Sequence, residues 1–432
     1  MRNRGVMNED RMNLLHEALI LRILSFLPTK LVVATSVLSK QWRSRWKLVP
    51  NLEFDSEDHK SEHQTFSVSV SRSFLSHKAP VLESLRLRFR LDKVNPVDIG
   101  LWIGIAFARH LRELVLYARL DHETFTFPSS LCTCNTLETL KLVLCILVDI
   151  SSPVFMKSLR TLHLEFVSYK DDASFRNLLS GCPILENLVV DRCAYYDDVV
   201  NFDIEVPSLK RLEIYDDSCG EGFRGYTINV PSLKYLTIQE LKGFELSLNA
   251  PVLVEAYFIG GSYMIADKFL GSLKSAKRLS LDLLPLEIVY PGGSIFHQLV
   301  SLEMHTRKSE WWNLLTVMLD SSPKLQVLKF VDYMNKEDLV GGKWNEPKYV
   351  PECLLSHLET LVWVKYGWDR QEEQEVATYI LRNARRLKNA TISTNPMESK
   401  DLKKLEERRK MLNELASVVR ASNSCHLEFE FE

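Results

Sequence analysis

The chain has 432 residues, 46% of them hydrophobic, and its 54 basic and 56 acidic side chains leave a formal charge of -2. That length supplies apolar material for a large core, and the balanced charge offers no electrostatic footprint for a polyphosphate backbone or an anionic membrane, which sets aside nucleic acid and membrane as partners. Eight cysteines are too sparse for a disulfide scaffold and fit free thiols in a reducing compartment.

Residues 1 to 11 are polar, and the apolar stretch after them is broken by His16, Glu17 and Arg22, so no signal-peptide core can be drawn. The longest apolar run, Leu142 to Val148, falls far short of the roughly 20 residues that cross a bilayer. The expected location is intracellular, in cytoplasm and/or nucleus.

In residues 10 to 54, Leu19, Ile20, Ile23, Leu24 and Leu27 form a helical stripe that stops at Pro28. A second apolar segment, Leu31 to Leu38, leads into the Trp-and-basic run Lys40 to Lys47. So short a unit buries only a modest core and borrows stability from a partner or a neighbouring domain. It is either a cap on the larger domain C-terminal to it or a docking module that hides its apolar stripe in another protein.

From residue 82 onward one phrase returns, Leu-x-x-Leu-x-Leu with apolar substitutions. Its first position falls at Leu82, Leu111, Leu137, Leu159, Leu185, Leu209, Leu233, Leu253, Ala276, Leu299, Leu325, Leu358 and Leu387. The mean interval is about 25 residues, inside the leucine-rich-repeat range. Each phrase alternates like a strand, so Leu212 and Ile214 point inward while Arg211, Glu213 and Tyr215 point to an open face. Stacked copies make one parallel sheet whose ends need caps. The outward positions of the middle copies are Arg211, Glu213, Tyr215, Tyr235, Thr237, Gln239, Glu255, Tyr257, Arg278 and Asp282. Tyrosines and arginines among mixed charges suit a protein epitope, and they suit a solvated sheet equally well.

The returns between phrases are of two kinds. Asp172 to Gly181 and Trp311 to Pro323 read as helices, the first opened by an aspartate and closed by Gly181. Val199 to Val206, Tyr226 to Val230 and Phe244 to Leu248 alternate and read as extended. Cys145 and Cys193 fall on the ninth repeat position, where a structural role outweighs a redox or metal one. Beyond the loop at Gly341 to Lys343 the pattern turns helical over Glu372 to Leu387 and Leu402 to Val419, and the chain closes in a strand, Cys425 to Phe431.

No phosphate-cradling, dinucleotide, zincin or nucleophile-elbow pattern occurs, so no catalytic, cofactor or metal residue is assigned. Cys132-Thr133-Cys134 lacks the usual gap and a second pair, and Cys425-His426 has no visible partner. Asp197-Asp198, Asp216-Asp217 and Glu221 follow strands and read as solvated turns. Tyr195-Tyr196 and Trp311-Trp312 read as packing.

Asp10-Arg11-Met12-Asn13-Leu14-Leu15, Ile23 to Lys30 and Thr35 to Arg43 resemble the F-box of plant F-box proteins, and the C-terminal stretch resembles the FBD domain that comes after leucine-rich repeats in many of them. The resemblance implies an α/β fold: a leucine-rich-repeat solenoid (residues 66–345) with an N-terminal three-helix F-box module (8–54) and a C-terminal α+β FBD cap (346–432). It implies a Skp-type adaptor as partner and, through it, a cullin-RING ubiquitin ligase, with an unidentified target protein on the repeats. The family's adaptor contacts carry over to Leu15, Ile23, Leu24, Leu27, Pro28, Leu38 and Trp42. His16 stands where the family usually has proline, a departure that bears on adaptor affinity. The alternative is an adaptor-independent interaction scaffold with a degenerate F-box.

Overall fold

The computed structural model describes residues 15–40, 42–58, 66–119, 124–128, 133–192, 199, 201–217, 224–265, 269–282, 296–306, 311–332, 344–367, 370–394 and 402–431. Each of the thirteen phrases becomes a strand that starts two residues after the phrase's first position. The strands are Ser84–Arg90, Glu113–Arg119, Thr139–Leu144, Thr161–Glu165, Asn187–Arg192, Arg211–Asp216, Tyr235–Asn249, Glu255–Ile265, Arg278–Leu281, Ser301–His305, Val327–Val331, Thr360–Val364 and Asn389–Thr394. All thirteen first positions are at most 1% exposed, so the repeat is a repeat of core contacts. The chain forms two compact units, residues 1–189 with 196–199 and residues 190–195 with 200–432.

In the first unit the strands pair in parallel and in chain order, beginning with Asn51–Asp55 against Ser84–Arg90 and ending with Thr161–Glu165. The strand Asn51–Asp55 lies inside the stretch that the sequence assigned to the N-terminal module. It carries the phrase with Val49, Leu52 and Phe54 in the leucine slots, all buried, and this variant beside a tryptophan-rich run concealed it. At each strand start one carbonyl accepts two amides from the next copy: Glu138 O takes Arg160 N–H at 2.9 Å and Thr161 N–H at 3.0 Å. This fixes the register in which side chains stack one repeat apart.

Among the described residues, six helices precede residue 190: α1 (Glu17–Leu24), α2 (Thr29–Ala34), α3 (Trp42–Arg45), α4 (Phe66–Ser76), α5 (Pro96–Phe107) and α6 (Asp172–Ser180). The helices α4 and α5 were not foreseen. Phe66, Val70 and Phe74 line one face of α4, and Trp102 of α5 donates from its indole to Ser71 Oγ at 3.1 Å. Asp171 caps α6 by accepting the Ser174 amide at 2.7 Å. Gly181 ends that helix at φ -87° rather than in the left-handed region. A glycine is required for another reason: a methyl there would overlap the Val154 carbonyl.

In the second unit, parallel pairing continues in chain order from Arg211–Asp216 to the terminal strand His426–Phe431. The returns expected to be extended are strands as well. Asn201–Ile204 pairs with Arg224–Asn229, which pairs with the second half of Tyr235–Asn249. The described helices of this unit are α7 (Phe269–Ser272), α8 (Trp311–Ser321), α9 (Glu352–Ser356), α10 (Gln371–Asn383) and α11 (Leu402–Ser417). Trp311 and Trp312 of α8 are buried, and Trp311 meets Phe330 and Trp363 edge-on at 5.3 and 6.0 Å.

Candidate functional site

The N-terminal module is small enough that its apolar residues divide cleanly by burial. Ile20, Leu24, Val32, Trp42 and Val49 form its core, with Leu21 and Trp46 packed against them. Thr29 ties α2 to the first strand by accepting the Glu53 amide at 2.7 Å, and Asn51 Nδ2 donates to Ser25 O at 3.2 Å. Leu24 and Trp42, two of the expected contact residues, are instead buried in this core at 2% and 4% exposure. Ile23 (43% exposed), Leu27 (40%) and Leu38 (65%) face solvent, as do Leu15 and Pro28. Phe26 and Val37, exposed at 73% and 87%, join them and were not singled out from the sequence.

His16 takes over the start of α1. Its φ of -57° is one that proline adopts, and its Nδ1 accepts the Ala18 amide at 3.3 Å. The imidazole thus supplies a cap that proline cannot, on a backbone of the same shape.

The second unit's open face carries the candidate epitope as cross-strand rows. Arg211, Tyr235, Glu255 and Arg278 stand in register on four successive strands. The Arg211 guanidinium lies 4.4 Å from the Tyr235 ring centre, and Arg278 pairs with Glu255. A second row holds Glu213, Thr237, Tyr257 and Ser280, and a third places Gln239 beside Tyr215. Burial, reinforced by the neighbouring Glu213 and Glu255, pushes the Tyr215 and Tyr257 hydroxyls up from the usual phenol range. The tyrosines stay neutral and present aromatic faces edged by charge.

Asp282 does not belong to this face. It is fully buried, and its Oδ2 accepts the Gly260 amide at 2.9 Å. Strand parity would have turned it outward, but Arg278–Leu281 ends one residue earlier and the Asp282 amide donates to Phe258 O at 2.9 Å. Asp216 is likewise not a solvated turn. It is fully buried, holds Arg192 at 2.8 Å and accepts the Tyr226 hydroxyl at 2.7 Å, while Arg192 lies 4.1 Å from the Phe202 ring centre. Burial raises the Tyr226 hydroxyl well above its ordinary value.

Further along the same unit, Ser280 Oγ donates to Glu303 Oε1 at 2.9 Å and Lys329 Nζ contacts Glu303 Oε2 at 2.8 Å. His305 beside Glu303, helped by Lys329 and Ser280, holds that carboxyl down at about 2. Ser280 and Glu303 both approach the same imidazole nitrogen, Nε2, at 3.4 and 3.6 Å. A nucleophile relay needs the two ring nitrogens for different partners, so this cluster is an ion-pair network.

Cys132, Cys193, Tyr195, Tyr196, Asp197, Asp198, Glu221 and Gly341 to Lys343 lie outside the described residues. Cys145 is half-buried at the end of its strand, and its carbonyl accepts the Phe125 amide at 2.7 Å. Among the described residues no helix is long and apolar enough to cross a membrane.

The class that fold and surfaces define is a parallel-strand repeat protein headed by a small helical module with an apolar outer face. Three family models match within it: the F-box domain over residues 12–54, the leucine-rich repeats of an FBD-associated F-box protein over 99–246, and FBD over 346–392. An FBD-associated F-box protein of Arabidopsis thaliana is 72% identical, with 100% of each chain covered. Two F-box/FBD/LRR-repeat proteins of the same plant are 66% and 65% identical over 100% of this chain and 96% and 97% of their own. The chain belongs to the plant F-box/FBD/LRR-repeat family.

Proposed function

We propose that the protein is the substrate-recognition subunit of an SCF-type cullin-RING ubiquitin ligase. Its F-box (residues 8–54), folded as three helices, docks on a Skp-type adaptor. The repeats (66–345) form a solenoid that holds the target on its open face, and the FBD (346–432) caps the array. Docking runs through Leu15, Ile23, Leu27, Pro28 and Leu38, with Leu24 and Trp42 supporting them from below. Target contact runs through Arg211, Glu213, Tyr215, Tyr235, Gln239, Glu255, Tyr257 and Arg278.

Ubiquitin transfer is accelerated by proximity, with the chemistry on other subunits. No residue of this chain is catalytic, and neither cofactor nor metal is needed. The protein acts in cytoplasm and/or nucleus.

The observation that carries this reading is the apolar surface around Ile23, Leu27 and Leu38 on a module whose own core is already complete without them. A typical interface core is built from such apolar anchors ringed by polar residues. Co-expression with a Skp-type adaptor and a cullin tests it. The expected result is a complex that copurifies, and that Leu27→Ala weakens. Absence of any copurification would leave an adaptor-independent scaffold as the account of the chain.

A further inference from the structure

The first unit's open face has a cleft that the adaptor surface does not use. It is a cavity of about 350 Å³ lined by Arg88, Arg90, Tyr117 and Arg119 together with Asp55, Ser56 and Glu57. Register places Arg88 between Tyr117 and Asp55, without a hydrogen bond or ion pair to Asp55, and Arg90 directly beside Arg119. Like charges set directly opposite on neighbouring strands are destabilising; the ion pair with Asp92 offsets the charge of Arg90, and no ion pair among the described residues offsets that of Arg119.

Among the described residues, Asp92 and Glu57 are taken up by Arg90 and Lys93, and no acidic group nearby forms an ion pair with Arg88 or Arg119. Asp92 is taken up by Arg90 in two bonds of 3.0 and 3.1 Å. Glu57 lies 3.5 Å from Lys93 and 3.9 Å from Arg90, and Asp55 accepts the Glu57 amide at 2.9 Å. Among the described residues, the guanidiniums of Arg88 and Arg119 and the hydroxyl of Tyr117 have no hydrogen-bond or ion-pair partner. Two guanidiniums and one phenol without such a partner among the described residues therefore line one concave site of the first unit's open face.

We infer that this cleft binds an anionic side chain of the target peptide, with Arg88 and Arg119 gripping its oxygens and Tyr117 donating a third bond. Guanidinium forks match the planar and tetrahedral oxyanions of carboxylates and phosphoryl esters. The cavity is large enough for one such group with its side chain. The carboxylates of Asp55 and Glu57 in the lining disfavour a continuous polyphosphate strand. The inference deepens the proposed function by naming the chemistry of the target, and it rests on the open face being the target-binding surface.

Binding of the purified full-length chain to three immobilised degenerate peptide pools tests it. The pools are identical except for a central phosphoserine, a central Glu-Glu pair or a central serine. Retention on the phosphoserine pool, displaced by inorganic phosphate, assigns a phosphoryl group. Equal retention on the Glu-Glu pool assigns a carboxylate cluster. In either case Arg88→Gln/Arg119→Gln is expected to weaken retention about tenfold or more, the scale of losing charge-assisted bonds. Arg88→Lys/Arg119→Lys recovers only part of it, because the charge returns without the fork.

Lys157→Gln/Lys274→Gln removes the same charge from exposed positions elsewhere and leaves retention unchanged. Equal retention of all three pools, or an equal loss in both Gln pairs, overturns the inference. Adaptor capture measured on the same samples separates the two claims. Capture without anion discrimination sinks this inference alone, and anion discrimination without capture sinks only the ligase assignment.

Discussion

The strand Arg211–Asp216 carries three of the candidate target residues on its outer side, and its last residue is anchored from below by a buried ion pair. Arg192 and Asp216 have side chains 3% and 0% exposed and meet at 2.8 Å, with the Tyr226 hydroxyl on the same carboxylate oxygen at 2.7 Å. Asp216→Ala removes one partner of a buried ion pair, a change that costs about 3–5 kcal/mol. For a unit of this size about 1 kcal/mol shifts the melting temperature by about 2–4 °C, so a drop of about 10 °C is expected. Differential scanning fluorimetry gives the shift, and hydrogen exchange localises it to Arg211–Asp216 and the strand beside it. Replacing the whole network by apolar side chains, Arg192→Met/Asp216→Leu/Tyr226→Phe, removes every orphaned group at once and should recover most of the loss. A melting temperature for Asp216→Ala within about 2 °C of wild type would refute the reasoning.

Three further outcomes are expected from other buried groups. Burial pushes the Glu373 carboxyl up to about 8 against the attraction of Arg370 at 3.1 Å. A folded-state value above the unfolded one gives stability that is complete below about pH 4.5 and lost as pH rises through about 8. Thermal melts should therefore fall across that window in the wild type, and Glu373→Gln should flatten the slope; parallel profiles would exclude this. Burial also pushes the Cys182 and Cys353 thiols up to about 12. Iodoacetamide on the native protein at neutral pH should spare both and modify them only after unfolding, as read by peptide mass spectrometry. Gly181→Ala drives a methyl into the Val154 carbonyl, and a loss of about 1–3 kcal/mol in chemical denaturation is expected where an ordinary helix end would gain.

The repeat was legible because its period is a period of burial. A leucine that recurs every 25 residues or so has no other physical reason to recur, and each copy became a strand at the same offset. The extended returns near residues 199–206, 226–230 and 244–248 were legible for the same reason, since their alternation is a burial pattern in short strands. Helices α4 and α5 were not, because serines interrupt the stripe of α4 and α5 is apolar nearly all round.

The apolar character of the N-terminal module was legible, but not which of its residues face solvent. Leu24 and Ile23 are adjacent and equally apolar, yet one lies in the core and the other on the surface. Only the docking of α1 against Trp42 and Val49 decides which is which. Asp282 and Asp216 failed for a related reason. Strand parity and turn chemistry are local rules, and both aspartates are held by partners about one repeat away, Gly260 and Arg192.

An adaptor is expected to bind the solvent-facing side of the N-terminal module and not its core. Equilibrium titration of a Skp-type adaptor against the purified chain, wild type beside Leu27→Asp/Leu38→Asp, tests it most directly. Leu75→Asp, an 86% exposed apolar position outside the module, is the control. The account predicts at least about a hundredfold loss of affinity for the double variant, since burying two unpaired carboxylates in an apolar interface costs several kcal/mol. It also predicts an unchanged melting temperature and wild-type affinity for Leu75→Asp. Adaptor affinity that is unmoved by Leu27→Asp/Leu38→Asp would contradict it.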